Sequence, residues 1–191
     1  MGVNLSKGQS VSLVKSGGGG LTQVRMGLGW DAVTKRGLFG SRARNIDLDA
    51  SALLFGADGK LVDQVWFQQL TSKDGSVQHT GDNLTGAGEG DDESIRVHLD
   101  GVPPAVRSIV FTVNSFTGQD FSQIENAFCR LIDESNEAEI ARYDLSGSGR
   151  HNAQIMAKVA RDGGGWSMTA LGIPASGRTF RDLLPAMSGA L

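Results

Sequence analysis

Five carboxylates and a carboxamide crowd one short stretch of the chain. Asp82, Asn83, Glu89, Asp91, Asp92 and Glu93 sit among Gly81, Gly86, Gly88 and Gly90, and no Lys or Arg lies between Lys73 and Arg96. Two carboxylates about 4 Å apart repel by roughly 1 kcal/mol in water and by several in a lower dielectric. A folded loop of this composition therefore calls for a counter-ion, and a hard divalent cation is the natural one. Ca²⁺ takes about six to eight oxygens from carboxylates, amides, backbone carbonyls and water in flexible geometry. Asp82 and Asn83 would supply side-chain oxygens where the loop begins, and Asp91, Asp92 and Glu93 where it ends. Carbonyls of Gly86 or Gly88 could fill the gap, since glycine lets a chain turn tightly and aim its carbonyls inward. The spacing is not that of an EF-hand, and no Gly-Lys-Ser/Thr follows the glycines as a phosphate-binding loop requires.

Other residues could add oxygens. Asp47, Asp49 and Ser51 alternate with Leu48 and Ala50, so on a strand they share one face at a spacing of roughly 6.5–7 Å. That is too wide for the three to chelate one ion alone, though each could complete a loop-built site; an ordinary solvent-facing strand is the equal alternative. Asp31, after Gly27-Leu28-Gly29-Trp30, is a third acid at a strand end, and by itself more often a turn residue. His79, His98 and His151 lack metal-ligand spacing and are expected at the surface. Cys129, the single cysteine, lies between Phe128 and Arg130 in an apolar run and is expected to be a buried structural thiol. One cysteine excludes an intrachain disulfide, a CxxC redox pair and a cysteine-rich zinc site. No GxSxG elbow occurs, and Trp30, Trp66 and Trp166 are expected in packing roles.

The elements that must position these residues are short and alternating. Glycine makes up 27 of 191 residues, about twice the ~7% average, and falls mostly between alternating runs. Ser10–Val14, the glycines 17–20 and Gln23–Trp30 predict a hairpin; Ile46–Leu54 and Leu61–Leu70 predict two further strands. Val77–Thr80 leads into the acidic loop, and Glu93–Asp100 emerges with Ile95, Val97 and Leu99 inward, Arg96 and His98 outward. Ser108–Asn114 is apolar and β-branched, as a strand buried on both faces should be. Phe121–Glu125 predicts a helical turn; Ala127–Asp133 with Ala138–Leu145, and Gln154–Ala160 with Trp166–Leu171, predict hairpins. Only the end is helical: Thr179 can cap a stripe of Phe180, Leu183, Leu184 and Met187, with Pro185 limiting its length. Ten or so strands with almost no helix give an all-β sandwich or barrel, a single domain over residues 1–191.

Composition narrows the partners. A net charge of −3 and the lack of a Lys/Arg cluster argue against nucleic acid. No run approaches the ~18 apolar residues of a transmembrane segment, and Met1–Lys7 lacks the pattern of a signal peptide, so a cytoplasmic location is expected.

The block His79-Thr80-Gly81-Asp82-Asn83-Leu84-Thr85-Gly86, continuing to Gly90-Asp91-Asp92-Glu93, resembles the signature of the TerD tellurium-resistance family. So do Gly27–Asp31, Ile46–Ala52, Asn126–Leu131 and Glu139–Leu145, in the family's order. The resemblance implies a β-sandwich of two mostly antiparallel sheets that binds Ca²⁺, commonly two ions, and acts in bacterial tellurite and stress resistance alongside other stress-response proteins. It implies ligation by Asp82, Asn83, Asp91, Asp92 and Glu93, with Asp31, Asp47 and Asp49 behind them. Gln68-Gln69 stands where an Asn pair is usual, and Lys35–Arg44 is an unusual Arg- and Gly-rich insert. A non-enzymatic calcium module is the expected function; a Ca²⁺-dependent nucleotide binder or a metal-dependent enzyme is the alternative.

Overall fold

Period-two alternation builds most of the strands. The computed structural model describes residues 2–15, 17–31, 33–37, 40–44, 47–81, 91–145 and 149–191, with 33–37, 40–44, 123 and 125 described as backbone alone. In β9 (Glu93–His98), Ile95 and Val97 are buried while Arg96 and His98 are exposed, as expected. β10 (Val106–Ser115) is buried on both faces from Ser108 onward, because it runs through the middle of a sheet covered on each side.

Two six-stranded sheets face each other. In the first, the order is β1 (Val3–Asn4), β12 (Ala138–Asp144), β11 (Glu125–Asp133), β3 (Gln23–Asp31), β9 and β8 (Val77–His79). In the second, it is β2 (Ser10–Ser12), β14 (Gly165–Ala175), β13 (Ala153–Asp162), β10, β6 (Leu48–Gly56) and β7 (Leu61–Val65). β1 runs parallel to β12 and every other named pairing is antiparallel. β4 (Val33–Gly37) and β5 (Gly40–Arg44), the insert, pair with each other as a separate ribbon. Met26 and Leu28 of the first sheet meet Leu54 and Phe111 of the second in one core. Each such fully buried large side chain contributes about 1.5–3 kcal/mol relative to exposure.

The outer face of the second sheet carries a smaller core. Leu53, Phe55 and Val110 pack there against Phe180, Leu183 and Met187 of the helix α1 (Phe180–Met187). Asp182 Oδ2 accepts the N–H groups of Arg178 and Thr179, satisfying donors that a helix start leaves open. Pro185 lies inside the helix, which ends two residues later. This roof removes one of the two alternatives the sequence left open. Asp49 and Ser51 are not on a solvent-facing strand: they share the covered face with Leu53 and Phe55, and are 8% and 3% exposed.

Three further expectations change. The residues Ser10–Trp30 do not form a hairpin of paired strands. Val14 bridges Gly20 and Leu21 N–H bonds Leu13 O at 2.9 Å, but β2 then joins β14 while β3 crosses into the other sheet. The run Leu61–Leu70 stops being strand at Val65, because Trp66 and Gln69 exchange N–H···O bonds of 3.0 and 2.9 Å in a tight turn. Finally, β12 and β11, and β13 and β14, are the hairpins expected, yet the strands number fourteen among the described residues.

Candidate functional site

The last residues of β3 and the first of β9 meet at one end of the first sheet. Asp92 N–H bonds Leu28 O at 2.8 Å, and Trp30 N–H returns a bond of 2.9 Å to Asp92 Oδ2. The carboxylate thus extends the strand ladder by one rung. Its pKa is raised above the usual aspartate value, first by burial and then by the charges of Asp31 and Asp91, with the Trp30 N–H opposing. Asp31, the exposed last residue of β3, accepts the Asn126 side-chain N–H at 2.6 Å.

Asp91 is held from two sides. Its Oδ1 accepts a 2.7 Å bond from Arg130 Nε of β11, and the guanidinium pKa rises in response. Beneath it lies Gly27, where any Cβ would stand 2.2 Å from the Asp91 carboxyl carbon. Glycine at this point of β3 is what lets the carboxylate lie down on the sheet. Arg130 also reaches Glu139 Oε2 at 3.4 Å. The acidic stretch, without cations in its own neighbourhood of sequence, thus meets one supplied from β11.

Glu93 turns inward. At 1% exposure, its Oε2 accepts the backbone N–H of Ala50 at 2.7 Å, a bond from β9 of one sheet to β6 of the other. The same oxygen stands 3.4 Å from His79 Nε2, whose Nδ1 accepts Gly81 N–H at 3.1 Å. Asp49 belongs to the second sheet, facing Asn114 in register, and Asp47 immediately precedes its strand, with Asp47 O accepting Phe116 N–H at 3.1 Å. Asp31, Asp91 and Asp92 are therefore brought together, and Glu93 ties them to the strand that Asp47 and Asp49 begin. Asp82, Asn83, Gly86 and Gly88 lie outside the described residues.

His79 and His151 are buried, contrary to the expectation that they lie at the surface. His79 is enclosed by the strand ends, and His151 stacks on Phe121 at 5.2 Å between ring centres. His98 is exposed and sits against the Gln23 amide. Cys129 is fully buried, as expected, and burial pushes its thiol up to about 12. Trp30, Trp66 and Trp166 are all buried packing residues. Arg130, His79 and Asn126 are the members of this constellation that the charge pattern missed. Arg130 stands 39 residues from Asp91 in the chain, and only the sheet register joins them.

The donor set is one of hard oxygens, and it fits Ca²⁺ in chemical type. Among the described residues, no group of three or more His, Cys, Asp or Glu side chains is arranged to hold a metal ion by itself.

Comparison with known proteins covers nearly the whole chain. The TerD domain description matches residues 1–184. Tellurium resistance protein TerZ of Serratia marcescens is 47% identical over 184 residues, spanning 95% of this chain and 94% of its own. Stress response protein SCP2 of Bacillus subtilis (strain 168) is 41% identical over 198 residues, 96% and 98% of the two chains. The crystal structure of a homologue of telluride resistance protein from Streptomyces coelicolor A3(2) superposes with a TM-score of 0.68 at 22% identity, covering 83% of this chain and 92% of the other, and shares its fold. With the domain match over residues 1–184 and these relatives, the chain belongs to the TerD family of tellurium-resistance and stress-response proteins.

Proposed function

We propose that this protein is a calcium-binding, non-enzymatic module of a tellurite and chemical-stress resistance system, working with other stress-response proteins. The observation that carries the reading is the state of Asp92. Its carboxylate is half-buried and pressed by the charges of Asp31 and Asp91, so that ionisation is disfavoured where it stands. A divalent cation beside it would reverse that balance. Asp31, Asp91 and Asp92 would hold Ca²⁺ from the first sheet, Asp47 and Asp49 from the second, and Asp82, Asn83 and the carbonyls of Gly86 or Gly88 from the loop between β8 and β9. Two ions are the expected number. When bound, the cation supplies charge neutralisation and a bridge between elements, with no bond made or broken.

The other polar groups support a non-enzymatic role. A thiol raised to about 12 and fully buried is a poor nucleophile or reductant at neutral pH. His151 is engaged with a ring and His98 with an amide. No helix among the described residues is long and apolar enough to cross a membrane. Titration calorimetry of chelator-treated protein tests the proposal. Ca²⁺ should give saturable heat and raise the melting temperature, with stabilisation of about 2.7 kcal/mol at a hundredfold excess over Kd. An absence of both heat and shift rejects it.

A further inference from the structure

We infer that His79 is a positioning residue that clamps the two ends of the acidic loop to each other. The loop departs from β8 after His79 and returns at Glu93, the first residue of β9. One imidazole touches both ends. Its Nδ1 accepts the N–H of Gly81, at the departure, at 3.1 Å. Its Nε2 lies 3.4 Å from Glu93 Oε2, at the return. The His79 and Glu93 side chains are each 1% exposed, so their contact is shielded from water.

The geometry fixes the ring's chemistry. A backbone N–H can only donate, so the nitrogen facing Gly81 carries no proton and the ring's hydrogen sits on Nε2, toward the Glu93 carboxylate. Gly81 reaches back to the ring through a φ of +127°, a conformation open to glycine and costly for other residues. Next to the ring, Thr80 N–H and Thr80 Oγ1 both donate to Ser94 O, at 2.9 and 3.1 Å. The loop stem is thus closed on the backbone side by Thr80 and on the interior side by His79. Glu93, in turn, is pinned by Ala50 N–H from the other sheet. His79 therefore sets where the loop starts relative to the sheet-to-sheet link at its end.

Closing a loop before its ligand arrives removes that ordering cost from the binding step. The role of His79 in calcium affinity rests on the calcium reading above; its role in holding the stem does not. The shorter contact is the one at Nδ1, and 3.4 Å lies beyond the normal hydrogen-bond range. Most of the clamp therefore runs through Gly81. Asparagine can present an oxygen where Nδ1 stands, whereas glutamine better imitates Nε2.

The test uses the full-length protein in two arms. In chelator, hydrogen exchange is followed at the Gly81 amide and across 91–94, with β10 and β13 as internal reference. His79→Ala should speed exchange at the stem and leave the reference strands protected, and His79→Asn should restore protection at Gly81 where His79→Gln does not. In calcium, His79→Ala should weaken affinity about tenfold, the scale of one net hydrogen bond, with asparagine recovering most of it. Should alanine prevent folding, the asparagine and glutamine variants carry both arms. Stem protection equal to wild type in His79→Ala, or glutamine and asparagine behaving alike, overturns the inference. Calcium failing to bind the wild-type protein overturns the calcium reading alone, and the exchange arm still decides the clamp.

Discussion

Gly27→Ala tests the floor on which Asp91 lies. The added Cβ would stand 2.2 Å from Asp91 Cγ and Oδ2 and 2.4 Å from Oδ1, well inside any tolerated contact. The strand backbone is held in register by Ser94 on one side and Arg130 on the other, so the carboxylate is the part that must move. Moving it breaks the 2.7 Å bond with Arg130, a pair whose side chains are 8% and 26% exposed. Loss of a charge-assisted bond in that setting costs about 1–2 kcal/mol, and an off-rotamer Asp91 about 0.5–1.5 more. Replacing glycine by alanine returns about 0.4–1 kcal/mol through the unfolded chain. The net expectation is destabilisation of about 0.5–3 kcal/mol, or roughly 1–12 °C in Tm for a domain of this size. Urea unfolding in chelator measures it. Gly20→Ala is the control, since nothing lies within 4 Å of its Cβ. In an Arg130→Gln background the cost should shrink, because the pair is already gone. Gly27→Ala as stable as the control, with calcium affinity unchanged, would refute the reasoning.

Two more outcomes follow from the same site. Asp92→Asn should act with opposite sign in the two conditions. Folding raises the Asp92 pKa, so the folded state binds this proton more tightly; the stability it contributes is full below the ordinary value of 3.8 and is lost as pH rises through the folded value. At pH 7 in chelator the asparagine variant should therefore be at least as stable as wild type, the difference closing as pH falls below that range, while its calcium-induced Tm rise should shrink. Thermal scans with and without calcium check both signs, and a variant less stable in chelator with a full calcium response contradicts the account. Cys129, raised to about 12 and fully buried, should resist alkylation at pH 8 in the native protein and react fully in urea; mass spectrometry reads the label, and native labelling at the rate of a free thiol would show that the site opens.

Where a pattern was local, the chain disclosed it. The alternation of β9, the apolar core strand β10, the β13–β14 hairpin and the stripe of α1 all follow from neighbours within a few residues. Where the outcome depends on partners far along the chain, it did not. For Asp49 and Ser51 a solvent-facing strand stood as an equal alternative, because the helix that covers their sheet begins as far away as Phe180. The run Ser10–Trp30 has every mark of a hairpin, and nothing local says that its second arm pairs with β9 and β11 in the opposite sheet. His79 looked like an outward residue since a three-residue strand shows too little alternation to place it. The tally of unneutralised carboxylates was correct along the sequence and incomplete in space, where Arg130 meets Asp91.

That meeting bears on what the acidic end can do. One carboxylate already has a fixed cation, while the next, Asp92, accepts the Trp30 N–H and has its pKa raised by burial and by the charges of Asp31 and Asp91. The two aspartates are adjacent in sequence but not equivalent: Asp91 is ion-paired against the sheet, and Asp92 carries a raised pKa. The acids also come from both halves of the sandwich, with Asp31, Asp91 and Asp92 on one sheet, Asp47 and Asp49 on the other, and the Glu93–Ala50 bond crossing between. On the calcium reading, ions held by both sets would strengthen the same seam that Glu93 already closes. Binding and sheet association would then be one linked equilibrium, and amides of β6 next to Ala50 should gain exchange protection with calcium as strongly as those of the loop itself.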